Sequence, residues 1–286
     1  MTTKIALLFL LAVVVLATFT AVVSAQVTIN TINRVFLVSG PAEAGTAFTI
    51  EVDGRQYLIT AKHVVKGMKD DDTIQIRKNG EWSPLAVKVF RCDDPADIAV
   101  LIPPSQLSIS FPLEPSLSGV FLGGDAFFLG FPYAKTTDSM LAGGYPLPLI
   151  KRATLSGMSQ LVPGKGSVII LDGYNNPGFS GSPVVFRDTT KSEATFKVGG
   201  VVVSFLPEAG PVLKTEEVTQ AQITDEDKQE SRILEYHQRF YRVTHETTDF
   251  VRLNTGVAFA HDIKFAVDLI RQHPIGPKVA DDFQPK

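Results

Sequence analysis

Asn176-Pro177-Gly178-Phe179-Ser180-Gly181-Ser182-Pro183 is the stretch on which the reading of this chain turns. It stands between two apolar runs, Val168 to Leu171 and Pro183 to Phe186, that have the length and residue types of strands. Proline and glycine punctuate the octet, so its central serine is expected in a tight turn. A serine hydroxyl is a poor nucleophile at its own pKa. It needs a base to take its proton and donors for the oxyanion that forms on attack. Gly178 and Gly181 free the backbone for such a turn, and the amides of Gly178 and Ser180 could then point together at a substrate oxygen. Taken alone, the octet also reads as an ordinary Pro/Gly/Ser turn.

Two stretches further toward the N-terminus supply what a serine nucleophile lacks. Thr60-Ala61-Lys62-His63-Val64-Val65 follows the apolar run Tyr57 to Thr60, which puts His63 at a strand end. An imidazole titrates near neutrality and is the natural base for a hydroxyl. Asp94-Pro95-Ala96-Asp97-Ile98-Ala99-Val100-Leu101 puts an acid at the head of a strongly apolar strand. Unpaired burial of that carboxylate would be costly, whereas accepting the Nδ1 proton of a histidine satisfies it and selects the tautomer that catalysis needs. Asp93 and Asp94 are rival acids, and Asp97 is preferred because it leads the apolar run. Singly, the histidine also reads as structural and the acid as a turn residue.

Outward from these motifs, Arg34 to Phe205 is built of short apolar, β-branched or aromatic runs bounded by Gly, Pro, Asp and Asn, the pattern of an all-β barrel or sandwich. Asp53-Gly54 is a hairpin turn between two of them. Composition changes at 207–249, which is rich in Glu, Asp, Gln and Thr and reads as an insertion. Within it, Ile233, Tyr236, His237, Phe240 and Tyr241 recur at helical spacing behind Asp225-Glu226-Asp227. A surface helix is expected there, docked by one face or acting as a lid over the cleft. Val257 to Ala260 is expected as a last strand and Asp262 to Gln272 as a helix. Residues 275–286 are expected to form a flexible tail.

Thr60-Ala61-Lys62-His63, Asp97-Ile98-Ala99-Val100-Leu101 and Gly178-Phe179-Ser180-Gly181-Ser182-Pro183 together resemble the trypsin/chymotrypsin-like serine peptidases, in that family's order of His, Asp, Ser. Gly45-Thr46-Ala47-Phe48, Gly124-Asp125 and Gly130-Phe131-Pro132 make the likeness nearest to the disulfide-free bacterial branch that includes the HtrA-like proteases. Too few residues follow the terminal helix for a PDZ domain. The resemblance covers roughly residues 34 to 206, Asn254 to Ala260 and the last helix. It implies an all-β fold of two antiparallel six-stranded β-barrels with a C-terminal helix and an inserted, partly helical segment. The cleft would take His63 and Asp97 from the first barrel and Ser180 from the second, with Gly178 and Ser180 amides as oxyanion hole. It implies a primary substrate pocket near Tyr174 and the strand of Val201, Val202 and Val203. No acid stands at the pocket floor, so small or medium apolar side chains are expected there rather than Lys or Arg. Ser182 departs from the family pattern, which has a second glycine at that position.

Composition narrows the remaining classes. The chain has 286 residues, 44% of them hydrophobic and 20% charged, enough to bury a core. A net charge of -3 and a pI near 6.0 offer no basic field for nucleic acid, so no nucleic-acid partner is expected. Cys92 is the only cysteine, which rules out an internal disulfide; it reads as a small buried hydrophobe. Five histidines without metal-ligand spacing imply no zinc chemistry, and no cofactor is expected. Residues 1–25 read as an export signal, with Val23-Ser24-Ala25 at the cleavage site, or as an uncleaved membrane anchor. The body, the protease domain at 26–274, is expected outside the cytoplasm with protein or peptide substrates. An α/β-hydrolase elbow would need Gly-x-Ser-x-Gly, which Ser182 breaks. The alternative in another class is a silent protease-like fold serving as a binding or scaffold module.

Overall fold

The computed structural model describes residues 27–110, 113–188, 195–280, 283 and 285. The expected signal or anchor at 1–25 lies outside them. After one helical turn, α1 (Ile29–Ile32), six strands follow: β1 (Val35–Ser39), β2 (Ala44–Val52), β3 (Arg55–Thr60), β4 (Asp71–Lys78), β5 (Glu81–Arg91) and β6 (Ala99–Ile102). All pair antiparallel and close into a barrel of order β1-β2-β3-β6-β5-β4. Asp53 and Gly54 both take positive φ and form a two-residue hairpin between β2 and β3, as the sequence predicts.

The second half contributes β7 (Glu114–Pro115), β8 (Asp125–Gly130), β9 (Leu149–Val162), β10 (Gly166–Asp172), β11 (Pro183–Arg187), β12 (Phe196–Val218), the short helix α2 (Asp225–Gln229), β13 (Ile233–Tyr236), β14 (Arg239–Asp262) and the helix α3 (Lys264–Gln272). The sheet order is β13-β14-β10-β9-β8-β11-β12-β7, and β12 pairs back onto β14. That last pairing closes β14, β10, β9, β8, β11 and β12 into a second antiparallel ring of six, so the expected pair of six-stranded barrels is present.

Alternate residues of one strand serve different cores. Phe36 and Val38 of β1 pack with Leu58, Ile74 and Leu101 inside the first barrel. Val35 and Leu37, on the opposite face, join Phe127, Leu129, Val185 and Val198 of the second barrel and Ala266 and Ile270 of α3. The second barrel has its own interior of Phe128, Leu155, Leu171, Phe179 and Val202. Burial on both faces explains why these strands read as near-continuous apolar runs rather than alternating ones.

Two expectations are corrected. The helix expected around 233–241 is absent. β12 and β14 instead run out of the barrel as a two-stranded ribbon, paired from Pro207↔Asn254 to Val218↔Phe240, and β13 adds a third strand at its tip. The helical part of the segment is a 3₁₀ turn at Gln220–Gln222 and α2, where Asp225, Glu226 and Asp227 do occupy the first turn and Asp227 completes a capping box with Thr224. The stretch beyond α3 is not free through 275–280. Gln56 donates its amide to Pro277 O at 3.0 Å, Val279 to Gly54 O at 3.0 Å and Ala280 to Gln106 Oε1 at 2.9 Å, while Arg55 Nη1 reaches Gly276 O at 2.5 Å. The start of β3, whose pairing with β6 begins only at Leu58, thus takes up the tail.

Candidate active site

His63 lies just past the end of β3, in a 3₁₀ turn of Lys62–Val65. Val64 and Val65 are fully buried and anchor that turn, which leaves the ring of His63 only partly covered. Asp97 stands two residues before β6, the neighbour of β3, so the pairing of these strands brings the two side chains together. His63 Nδ1 is 2.5 Å from Asp97 Oδ2, and the His63 amide donates to Asp97 Oδ1 at 3.0 Å. Burial by itself would lower the His63 pKa, but the bond to Asp97, that residue's charge and the nearby charge of Glu43 outweigh it and raise it above the ordinary value. Burial would raise the Asp97 carboxyl, and its bonds and charge interaction with His63 outweigh that and hold it low. The rival acid Asp94 is taken up elsewhere, 2.6 Å from Lys62 Nζ at the exposed surface.

The serine turn joins the barrels. Phe179 is fully buried against Phe128, their rings 5.0 Å apart and nearly perpendicular, and fixes the turn to the second core. Gly181 takes φ +86° and donates to Val202 O at 2.8 Å; Val202 donates back to Ser182 O at 2.9 Å. On the other side, the Thr46 amide donates to Ser180 O at 2.8 Å, and Thr46 Oγ1 to Gly178 O at 2.8 Å. A Cβ on Gly181 would lie 2.0 Å from Thr46 O and 2.4 Å from Thr60 Oγ1, so only glycine permits this approach of the serine turn to the strand end that carries His63. Gly178 takes φ +99°. Among the described residues, no acceptor takes the amide of Gly178 or Ser180, and Ser180 Oγ has no hydrogen-bond partner.

Residues 45–191 match the model of the trypsin-like peptidase domain. The chain belongs to that family. It is a trypsin-like serine endopeptidase. No curated protein matches it. Among solved structures, a mutant of Rv3671c from M. tuberculosis in its inactive form is 21% identical, covering 62% of this chain and 77% of that one, with a TM-score of 0.42. The HtrA-type protease AlgW with a decapeptide is 14% identical, covering 85% of this chain and 65% of that one, with a TM-score of 0.49. A serine endoprotease from Yersinia pestis is 17% identical, covering 62% and 56%, with a TM-score of 0.43.

Of the residues expected around a substrate pocket, the three valines are interior and Tyr174 is exposed. The side chains of Val201 and Val202 are fully buried and Val203 nearly so, within the barrel cores. They cannot meet a ligand, because alternation along β12 turns both faces of this stretch into protein. Tyr174 is 58% exposed. Its loop is held by Lys151, whose Nζ reaches Tyr174 O at 2.7 Å and Asn176 Oδ1 at 2.6 Å, and by Asn175 Nδ2 on Ser204 O at 2.9 Å. The departure at Ser182 has a spatial reason. A Cβ on Gly130 would fall 2.2 Å from Ser182 Oγ, so the missing side chain at 130 makes room for the extra one at 182.

Two residues at this site escaped the sequence reading. Glu43, in the β1–β2 turn, places Oε1 3.7 Å from His63 Nε2. His261, near the end of β14, accepts the amide of Asp97 on Nδ1 at 2.9 Å. The first sits in Pro41-Ala42-Glu43-Ala44, which has no distinguishing pattern; the second was visible only as a polar residue closing the apolar run Val257 to Ala260. Across the described residues, no helix is long and apolar enough to cross a membrane.

Proposed function

We propose that this endopeptidase cleaves peptide bonds through Ser180 as nucleophile, His63 as general base and acid, and Asp97 as the group that orients and charges against the imidazole. The observation that carries this reading is the double grip of Asp97 on His63, through the ring and through the amide. With Nδ1–H donated to Asp97, Nε2 is the basic nitrogen and points away from the acid. Ser180 Oγ would give its proton to Nε2 while bonding to the substrate carbonyl carbon. The carbonyl oxygen, now negative, would be received by the free amides of Gly178 and Ser180. Collapse breaks the C–N bond, and Nε2 returns its proton to the leaving amine. Water then repeats the sequence on the acyl-enzyme with the same proton path. Apo sites commonly tighten the base–nucleophile bond only when substrate arrives, which accords with the unbonded Ser180 hydroxyl.

The substrate would be a protein or peptide with a small or medium apolar residue before the scissile bond, met in an exported compartment. A fluorophosphonate serine probe tests the chemistry directly, with the adduct located by peptide mass spectrometry. Labelling at Ser180 that vanishes in Ser180→Ala and in His63→Ala is expected. Folded wild-type protein that takes no label would sink the triad and favour the scaffold reading. A library of peptides varied before the scissile bond then tests the apolar preference; cleavage after Lys or Arg would refute it.

A further inference from the structure

We infer that His261 is a positioning residue for Asp97: its neutral imidazole, reaching across from the second barrel, accepts the Asp97 amide and fixes the acid to the strand pair that also holds the serine turn. This rests on the triad reading above and extends it.

Four polar groups of Asp97 have partners. Its carbonyl accepts from the Lys62 amide at 3.3 Å, Oδ1 from the His63 amide at 3.0 Å, and Oδ2 bonds His63 Nδ1 at 2.5 Å. These three partners all belong to the turn after β3, so they set Asp97 relative to His63 but not relative to Ser180. The fourth is the amide, which donates to His261 Nδ1 at 2.9 Å across 164 residues of sequence. His261 is 9% exposed and lies opposite Val201 in the β12–β14 ladder, beside the Val202↔Ala260 pair. Val202 is the residue that exchanges bonds with Gly181 and Ser182. One rung and its neighbour therefore hold the acid on β14 and the nucleophile turn on β12. Each connection is a hydrogen bond between buried or half-buried groups.

The bond dictates the state of the ring. An acceptor at Nδ1 must be unprotonated, so the neutral tautomer carries its proton on Nε2. Burial pushes the His261 pKa below its ordinary value; the charge of Asp97 opposes this and that of Lys62 supports it. A protonated ring would turn a donor toward the Asp97 amide and break the link. Misplacement of the acid by a fraction of a bond length is enough to spoil orientation of the base.

The test compares His261→Leu, which removes the acceptor, with His261→Asn, whose side-chain oxygen can take the position of Nδ1, in the full chain alongside Ser180→Ala. In His261→Leu, kcat is expected to fall about 10- to 100-fold with KM changed less than about twofold. His261→Asn is expected to recover most of that loss. Unchanged kcat in a folded His261→Leu, or equal loss in both variants, overturns the inference. Turnover that survives Ser180→Ala would instead mean that the triad reading has failed. Should His261→Leu not fold, nitrogen-15 NMR of the wild-type ring decides. Protonation on Nε2 with a bare Nδ1 supports the link, and a protonated Nδ1 refutes it.

Discussion

Glu43→Gln offers the sharpest perturbation of the site, because it removes one charge and almost nothing else. The β1–β2 turn is closed by a main-chain bond from Gly40 N to Glu43 O at 3.0 Å, so the amide variant keeps the loop. At 3.7 Å from Nε2, with side chains 49% and 30% exposed, Glu43 and protonated His63 attract by about 1 kcal/mol in a water-like dielectric. Exposed pairs of this kind deliver about half of that or less, about 0.5 kcal/mol at most, so the His63 pKa should fall by the modest amount that this charge contributes. The sign follows from the proton: the anion stabilises imidazolium, and its loss lets the base form persist to lower pH. The acid limb of kcat/KM, which reports the free enzyme's base, should therefore move down in pH by that amount. At about 1 M salt, where the screening length is near 3 Å, variant and wild type should converge. A limb that stays fixed at low salt, or moves upward, would refute the placement of Glu43 against Nε2.

Further outcomes follow from the packing. Gly130→Ala forces a Cβ to 2.2 Å from Ser182 Oγ and 2.5 Å from Thr46 Oγ1, and should cost about 1–3 kcal/mol in urea unfolding, partly restored by adding Ser182→Gly. Among the described residues the buried Ser182 hydroxyl has no partner, so Ser182→Ala alone should leave stability unchanged or raise it by about 1 kcal/mol; a large loss would refute this. Removing residues 275–286 strips the four amide bonds and the Arg55 contact that hold the tail to the first barrel and should lower urea stability by about 2–4 kcal/mol, with an unchanged midpoint arguing against the docked tail. Replacing residues 211–250 by an Asn-Gly turn should leave probe labelling of Ser180 intact, whereas a folded but unlabelled product would assign the ribbon a part in the chemistry.

What could be read from the sequence was what is local. His63, Asp97 and Ser180 each adjoin an apolar strand, and the residues that free or restrict the backbone around them are their immediate neighbours. The barrels were readable for the same reason, since runs such as Tyr57 to Thr60 and Val168 to Leu171 are strands whatever surrounds them. His261 was not, because its role exists only once β14 is laid beside β12 and the two barrels meet. The docked tail was hidden differently: on the tail's side every one of its bonds uses a main-chain group, and no side-chain pattern in 275–280 records them. In the ribbon the misreading came from exposure. A two-stranded element with both faces in water has no in-and-out alternation, so the chance spacing of Ile233, Tyr236, His237, Phe240 and Tyr241 looked helical. Its turn added to this, since His237 and Gln238 both take positive φ without the Asn-Gly pair that usually marks a two-residue hairpin.

A ribbon of this length needs its own source of order, because two strands alone are marginal in water. At the tip, β13 adds a third strand, and Arg242 of β14 gathers the rest. Its Nε and Nη2 each reach a different oxygen of Asp227 at 3.0 Å, Nη1 reaches Glu216 at 2.8 Å, and Nη2 also meets Gln222 O at 2.6 Å. The pull of Arg242, with the amide and hydroxyl of Thr224, holds the Asp227 carboxyl down to about 2. Forked contacts of this sort fix geometry as well as charge, and they tie α2 and β12 to β14 at one side chain. All these partners lie within the ribbon, while its root is held to the barrel by Asn254 on Asn175 O at 2.6 Å and by Gly173 on Gly256 O at 2.6 Å. The tip thus keeps its form from contacts of its own, and only the root touches the loop that leads through Tyr174 to Ser180.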